Sequence, residues 1–267
     1  MHYLSIGAIF RSENSWLEEW VDYHRDRGAE HFYLFNDDPD THVSDRILQP
    51  HITTGLVENH YVKDWKSLTG AAQHRRQVEA YREIIKMSKG RTFWLALIDL
   101  DEFLLPRQTD DLRVFMQDYE QSSGLAVNWS IFGTGGHVKR PPTQIDHLLY
   151  RAETLWEPNS YIKSIIKPEE IALERMKDSH YFDTINGNTV NENHEPVRWL
   201  RYPISTEKIR LNHYVLRSLQ DFWEVKTKRE RRNAGIPCDE NYFTKHDRNE
   251  VFDNEISRRF SCRKPNT

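Results

Sequence analysis

The stretch "LALIDLDEFLLP", residues 95–106, decides how the chain is read. It begins as a buried strand would, in an apolar run, and then sets Asp99, Asp101 and Glu102 within four consecutive positions. Unpaired carboxylates in a core cost several kcal/mol each, so the chain must either leave the core here or supply counter-charge. Asp99 and Asp101 stand two apart, which in a continuing strand points both to one side and turns Leu100 into the core. Such a pair at a strand end suits a hard divalent cation, Mg²⁺ or Mn²⁺, which keeps waters and bridges substrate phosphates. The same acids would equally cap a following helix or pair with Arg and Lys. Asp-X-Asp alone does not separate these readings.

Upstream, residues 2–10 alternate and end apolar, as a strand does, and "NSWLEEWVDYHRDRGAEHFYLFND" (14–37) then changes period. Ser15 with Glu18 fits a capping box, and Trp16, Trp20 and Tyr23 share one helical face. Gly28 supplies the helix stop, and residues 31–37 are aromatic and apolar enough for a second strand. This is a βαβ unit, with parallel strands and a right-handed crossover. The pattern repeats with a strand over 55–62, a long helix over 69–90 ending at Gly90, and a buried strand over 92–99. The expected fold class is therefore α/β, a mixed, mostly parallel sheet with helices on both faces. In such sheets the ligand crevice lies beyond the carboxyl ends of the strands, where Asp37, Asp38, Asp99 and Asp101 fall.

Beyond residue 110 the pattern is mixed. Strands are expected over 124–133, 161–168 and 208–215, a loop at "GTGGHVKRPP", and a helix over "LQDFWEVKTKRERRNAG". No linker, repeat or low-complexity segment divides the chain. We expect one domain over 1–235, with a first part (1–110) and a second part (111–235), followed by a C-terminal extension (236–267).

Hydrophobic residues make up 37% of the 267 and charged residues 29%, with 8 Trp, 12 Tyr and 12 Phe, which excludes a disordered chain. Residues 201–267 carry 15 Lys and Arg against 10 Asp and Glu on a chain of net charge -4. That basic part suits an anionic ligand, as it would suit a solvated helix face. No basic run interleaved with aromatics points to nucleic acid. Cys238 and Cys262 alone support neither a disulfide framework nor a thiolate zinc site. With no signal peptide pattern and no long apolar run for a transmembrane segment, the expected compartment is reducing and cytoplasmic.

The residues around the opening stretch also resemble a known family. "ENSWLEEWVDYHRDRGAEHFYLFNDDPD", Gln73, "FWLALIDLDEFLLP", "NWSIFGTGGHVKRPP", "YIKSIIKP" and "LNHYVLRSLQDFWEVKTKR" occur in the order found in glycosyltransferase family 92 and related bacterial family-2-like enzymes. The resemblance implies a GT-A fold, with 1–110 the nucleotide-binding part and 111–235 the acceptor-side part. It also implies a metal-dependent, inverting transfer of a sugar from a nucleoside diphosphate donor, a UDP-sugar by preference, to a hydroxyl of a glycan or glycoconjugate. Asp101, with Asp99 directly or through water, would hold Mn²⁺ or Mg²⁺ on the diphosphate, and His213 is the third metal candidate. Glu102 would buttress the loop or face the acceptor. Phe10, Arg11 and Glu13 after the first strand and Asn36, Asp37 and Asp38 after the second would form the uridine cradle, although "NDDPD" also reads as a polar turn.

Gln73 and Arg76 would reach the donor, and Lys163, Lys167 and Lys226 the diphosphate. "FGTGGH" lacks the spacing of a Rossmann turn or a P-loop and reads as a close-approach loop on the sugar or acceptor side, with Trp129 as a stacking platform. Inversion needs a general base near the acceptor hydroxyl, and His137, Asp183 and Glu192 are the candidates. Relatives often carry "Leu-X-X-Glu-Arg" where this chain has "LLYRAE", with Tyr150 before Arg151, a departure that bears on the acceptor. The lack of an anchor favours a bacterial or viral enzyme. The competing readings are a non-catalytic nucleotide- or sugar-binding module and a sugar-nucleotide pyrophosphorylase, whose glycine-rich basic first loop "IFRSENSW" lacks. A metal-dependent phosphohydrolase would show His/Asp clusters on more than one early strand.

Overall fold

A computed structural model describes residues 1–64, 73–228 and 238–260. The first half alternates as the periodicity predicts: β1 (His2–Phe10), α1 (Asn14–Asp26), β2 (His31–Asn36), α2 (His42–Thr53), β3 (Val57–Tyr61), α3 (Gln73–Ser88), β4 (Thr92–Leu97) and β5 (Glu102–Pro106). The second half is irregular, with α4 (Leu112–Met116), β6 (Gly124–Ile131), β7 (Tyr150–Arg151), β8 (Ile162–Ile166), β9 (Thr189–Val190), β10 (Pro196–Val197) and β11 (Ile209–His213). It closes with α5 (Leu219–Asp221), which runs into a π-helical turn (Phe222–Lys226), then α6 (Glu240–His246), β12 (Val251–Phe252) and α7 (Glu255–Phe260).

The sheet is mixed. Strand β1 pairs in parallel with both β2 and β4, and β3 adds in parallel to β2. Past β4 the direction alternates, because β8 is antiparallel to both β4 and β6. The parallel strands are buried on both faces, as βαβ crossovers require. Leu4, Ile6, Ala8 and Phe10 of β1 face one core with Leu17, Trp20 and Val21 of α1. Tyr33, Phe35, Leu95 and Leu97 face the other with Ala80, Tyr81, Ile84 and Ile85 of α3. Gly7 lets α3 lie this close: a Cβ there would stand 2.7 Å from Ile84 Cγ2 and 2.8 Å from Leu97 Cδ2.

Local chemistry departs from expectation in four places. Ser15 does not cap α1, which starts one residue earlier; its hydroxyl instead accepts a hydrogen bond from Arg140 Nη1 at 3.1 Å. Helix α2 was not foreseen, because Pro50 lies inside it and reads as a helix breaker. Strand β5 is separate from β4 and pairs antiparallel with β11. The C-terminal segment does not trail away: β12 pairs with β7, Asp253 accepts from Arg151 Nε and Arg210 Nη1 at 2.7 Å each, and Ile256 is fully buried.

His24 links α1 to β5. Its Nδ1–H donates to the Trp20 carbonyl at 2.9 Å, and its Nε2 accepts from Leu104 N–H at 3.3 Å. Burial pushes this imidazole down to about 3. An unfolded histidine titrates near 6.5, so below that pH the unfolded chain binds a proton that the folded chain refuses, and stability falls on acidification. Between pH 7 and pH 5 the parent chain should lose about 2 kcal/mol more than His24→Gln in urea unfolding. Equal losses would show that His24 is not held neutral.

Candidate active site

Strands β1, β2 and β4 end side by side, and a cleft of 860 Å³ opens beyond them. Phe10, Arg11 and Glu13 reach it from the end of β1, Asp37 from β2, Asp99 and Asp101 from β4, and His213 from β11. This is the crevice position that a parallel sheet dictates.

The Asp-X-Asp segment is a turn and does not continue the strand. Glu102 N–H donates to the Asp99 carbonyl at 3.0 Å, and Glu102 Oε2 accepts from Asp99 N–H at 2.8 Å, closing the reversal from β4 into β5. The alternation that would send both aspartates to one side therefore does not apply. Asp99 accepts from Gln77 Nε2 at 2.6 Å, Tyr81 OH at 3.0 Å and Lys163 Nζ at 3.0 Å. Asp101 Oδ2 faces His213 Nε2 at 3.7 Å and Lys226 Nζ at 3.5 Å.

Glu102 supports the site from behind. It is fully buried with Lys163 Nζ 3.6 Å away, and burial raises its carboxyl well above the usual range. Lys163 lies beneath the cleft, and its one ammonium serves both acids. Burial alone would lower it, but the Asp99 and Glu102 carboxylates hold it above the ordinary lysine value. The sequence placed Lys163 on the donor; the structure places it under Asp99. Lys167 points elsewhere, donating to the Glu120 carbonyl at 2.6 Å.

The antiparallel register His213↔Glu102 brings β11 to the turn, where Tyr214 N–H donates to the Asp101 carbonyl at 2.8 Å. Burial would raise Asp101, yet Lys226 and His213 hold it well below the usual carboxylate range. Burial lowers His213, in spite of Asp101. Among the described residues no three His, Cys, Asp or Glu side chains are placed to hold a metal ion. Two of the three expected, Asp101 and His213, do converge. A carboxylate with a neutral imidazole fits Mg²⁺ or Mn²⁺, which complete their shells with water and substrate phosphates. His213 Nδ1 is buried, with no hydrogen-bond partner among the described residues.

At the other end of the floor, Asp37 lies between Arg11 Nη1 at 3.5 Å and Arg76 Nη1 at 3.2 Å. Asp38 shapes the first loop by accepting Ser12 N–H at 2.5 Å and does not line the cleft. Glu13, 4% exposed, faces Arg217 Nη2 at 2.9 Å. Arg217 and Ser12 both hold positive φ, +60° and +58°, strain of the kind that collects at binding sites. Gln73 begins α3, but its side chain lies outside the described residues.

The far wall comes from the second half. Trp129 tilts against His213 at 4.5 Å between centroids and against Tyr161 at 5.2 Å, and the Arg201 guanidinium lies 4.0 Å over the Tyr161 ring. His180 Nδ1–H donates to the Ile162 carbonyl at 2.9 Å, which leaves Nε2 as an acceptor; burial, aided by Lys163, pushes this imidazole down to about 4. From α6, Tyr242 and His246 stack at 3.7 Å and line the same cleft.

The three base candidates are not among the cleft-lining residues. His137 Nε2 donates to the His147 carbonyl at 3.1 Å. Asp183 flanks the isolated bridge between Ile171 and Thr184, and its carbonyl accepts from Ala172 N–H at 2.9 Å. Glu192 is 2% exposed and spends its carboxylate on the N–H groups of Glu207, Lys208 and Ile209. The glycine loop does not reach the cleft either: Thr134 and Gly135 N–H donate to Asp247 and Asn249 at 2.7 and 2.8 Å, clasping the C-terminal segment. Asp178 and His180 do line the cleft, as do Glu157, Asp239 and His246. Sequence reading missed Asp178 and His180 because they sit in an aperiodic loop. It missed Gln77 and Tyr81 as well, although both follow Gln73 at helical spacing.

A family model described as "Glycosyltransferase family 92" matches residues 2–255. Two matches to a glycosyltransferase family 92 protein of Ricinus communis are each 24% identical, one over 70% and one over 76% of this chain. They cover 32% and 33% of the relative, so the chain spans about a third of its length. Among solved structures, 4-diphosphocytidyl-2C-methyl-D-erythritol synthase of Anaerococcus prevotii aligns with a TM-score of 0.36 at 12% identity, over 63% of this chain and 71% of that one. HddC of Yersinia pseudotuberculosis aligns with a TM-score of 0.41 at 10% identity, over 71% and 91% respectively.

Proposed function

The chain belongs to glycosyltransferase family 92, and from that premise we propose that it transfers a sugar from a nucleoside diphosphate sugar, a UDP-sugar by preference, to a hydroxyl of a glycan or glycoconjugate, with inversion and with Mn²⁺ or Mg²⁺. The observation that carries this reading is the meeting of Asp101, His213 and Lys226 at the floor of a cleft that also receives the ends of β1 and β2.

Asp101 and His213 would hold the cation together with diphosphate oxygens and water. When bound, such a cation neutralises the charge that develops on the departing diphosphate. Asp37, oriented by Arg11 and Arg76, accepts from a base N–H or ribose hydroxyl. The Asp99 carboxylate, fixed by Gln77, Tyr81 and Lys163, presents its exposed edge to the donor sugar. Trp129 and Tyr161 offer ring faces to the apolar faces of sugars, and Arg201 offers planar donors to their hydroxyls. Asp178 or His180 takes the proton from the attacking hydroxyl, in place of His137, Asp183 and Glu192. His180 is suited to accept because its hydrogen bond to Ile162 leaves Nε2 unprotonated.

Among the described residues no helix is long and apolar enough to cross a membrane. The reading is tested by thermal unfolding with Mn²⁺ and a panel of UDP-, GDP- and dTDP-sugars. A cognate donor at about 100 times its Kd adds roughly 2.7 kcal/mol, a rise of roughly 5–10 °C for a domain of this size. No rise with any nucleotide, with or without metal, would overturn it.

A further inference from the structure

Asp101 is buried to 7% exposure, and two groups converge on one of its oxygens, His213 Nε2 at 3.7 Å and Lys226 Nζ at 3.5 Å. The Lys226 ammonium supplies counter-charge to the Asp101 carboxylate at this oxygen. Lys226 is held there at a second point, donating to the Val215 carbonyl at 2.6 Å, two residues past His213. Its backbone is fixed as well. It ends the π-helical turn Phe222–Lys226, which follows a helix capped by Ser218 and pinned by Arg140 to Asp221 at 2.6 Å. Turns of this width recur at functional sites.

This places a monovalent cation at the Asp101 oxygen that a divalent one would use. A divalent cation held by Asp101 and His213 would share that oxygen with the Lys226 ammonium, and like charges that close repel strongly. Lys226 lines the cleft, with 21% of its side chain exposed, and a flexible four-carbon stem lets it move. A diphosphate arriving with the metal offers it a new anionic partner.

We propose that Lys226 is a placeholder cation: it neutralises Asp101 in the free protein, excludes a divalent cation from Asp101 and His213, and leaves for the diphosphate when a nucleotide binds. This rests on the proposed Asp101–His213 cation site. The consequence of that site is coupling: metal and nucleotide each strengthen the other's binding, by the same factor in both directions. A cation held by Asp101 and diphosphate oxygens couples the two ligands whatever Lys226 does; what the placeholder adds is weak binding of the metal alone, which a lysine that merely stabilised the fold would not produce.

The experiment is a Mn²⁺ titration of the full chain followed by the loss of the free-ion electron paramagnetic resonance signal, with and without UDP. The parent chain should bind Mn²⁺ weakly alone and at least about 10-fold more tightly with UDP. Lys226→Met should bind Mn²⁺ alone at least about 10-fold more tightly than the parent and show a reduced effect of UDP. Lys226→Gln serves as a second uncharged variant, and Lys226→Arg should restore the weak binding. If the parent shows UDP-dependent Mn²⁺ binding but both uncharged variants bind Mn²⁺ alone no better than it does, the placeholder is overturned and the cation site stands. If no variant binds Mn²⁺ with or without UDP, both are overturned.

Discussion

Asp101→Asn is expected to lower sugar transfer by roughly 10²- to 10³-fold while the chain stays folded. The amide keeps the shape of the carboxylate but removes the charge that faces His213 and Lys226. A Lewis-acid cation contributes several kcal/mol to a transition state in which charge gathers on the leaving diphosphate, and about 1.4 kcal/mol corresponds to a factor of ten. The backbone contact from Tyr214 N–H to the Asp101 carbonyl does not involve the side chain, so β11 stays in register. The loss should fall mainly on kcat. Turnover in Mn²⁺ within about threefold of the parent would refute the role of Asp101. Asp99→Asn should affect stability more than its partner does, because the Asp99 carboxylate balances a buried lysine.

Lys163→Met is expected to destabilise the protein by about 1–3 kcal/mol, the cost of leaving carboxyl oxygens at the turn without a charged hydrogen-bond donor. Methionine preserves the stem, so the loss measures charge and hydrogen bonding more than packing. Lys163 is 1% exposed and is the cation within 3.0 Å of Asp99 and 3.6 Å of Glu102. In thermal unfolding this amounts to a fall of roughly 2–12 °C for a domain of this size. Adding Glu102→Gln to Lys163→Met should cost little further, since burial already disfavours charge on Glu102 and the amide oxygen can still accept Asp99 N–H. A melting temperature unchanged by Lys163→Met would mean that the turn holds its acids without this lysine.

Both predictions rest on a turn that the sequence half revealed. The strands and helices of the first hundred residues were legible because burial on both faces leaves long apolar runs, and Trp16, Trp20 and Tyr23 repeat at helical spacing. Pro50 concealed α2, since a proline late in a helix looks like a break. The charge pattern in "LALIDLDEFLLP" marked residues that line the cleft, but not their geometry. Treating Asp99 and Asp101 as alternate residues of a strand gave them a common side, whereas the Asp99–Glu102 hydrogen bonds reverse the chain and give them different partners.

His213 was identifiable through its place in an ordered block, and its contact with Asp101 depends on a strand pairing between residues 102–106 and 209–213. The base candidates lie off the cleft for a related reason. His137 and Glu192 carry the right chemistry, but their side chains are committed to backbone groups elsewhere, and only tertiary contacts reveal that. Asp178 and His180 reach the cleft from a loop without periodicity. The C-terminal segment presented no pattern that would place Tyr242 and His246 in the wall of the cleft.

The central claim is that Asp101 and His213 hold a nucleotide's diphosphate through a divalent cation. Calorimetric titration of UDP, with and without Mn²⁺, into the parent chain, Asp101→Asn and His213→Ala tests it most directly. The account predicts binding at least about 10-fold tighter with Mn²⁺ for the parent and no such gain for either variant. UDP binding that ignores Mn²⁺ in the parent, or a Mn²⁺ gain that survives both substitutions, would contradict it.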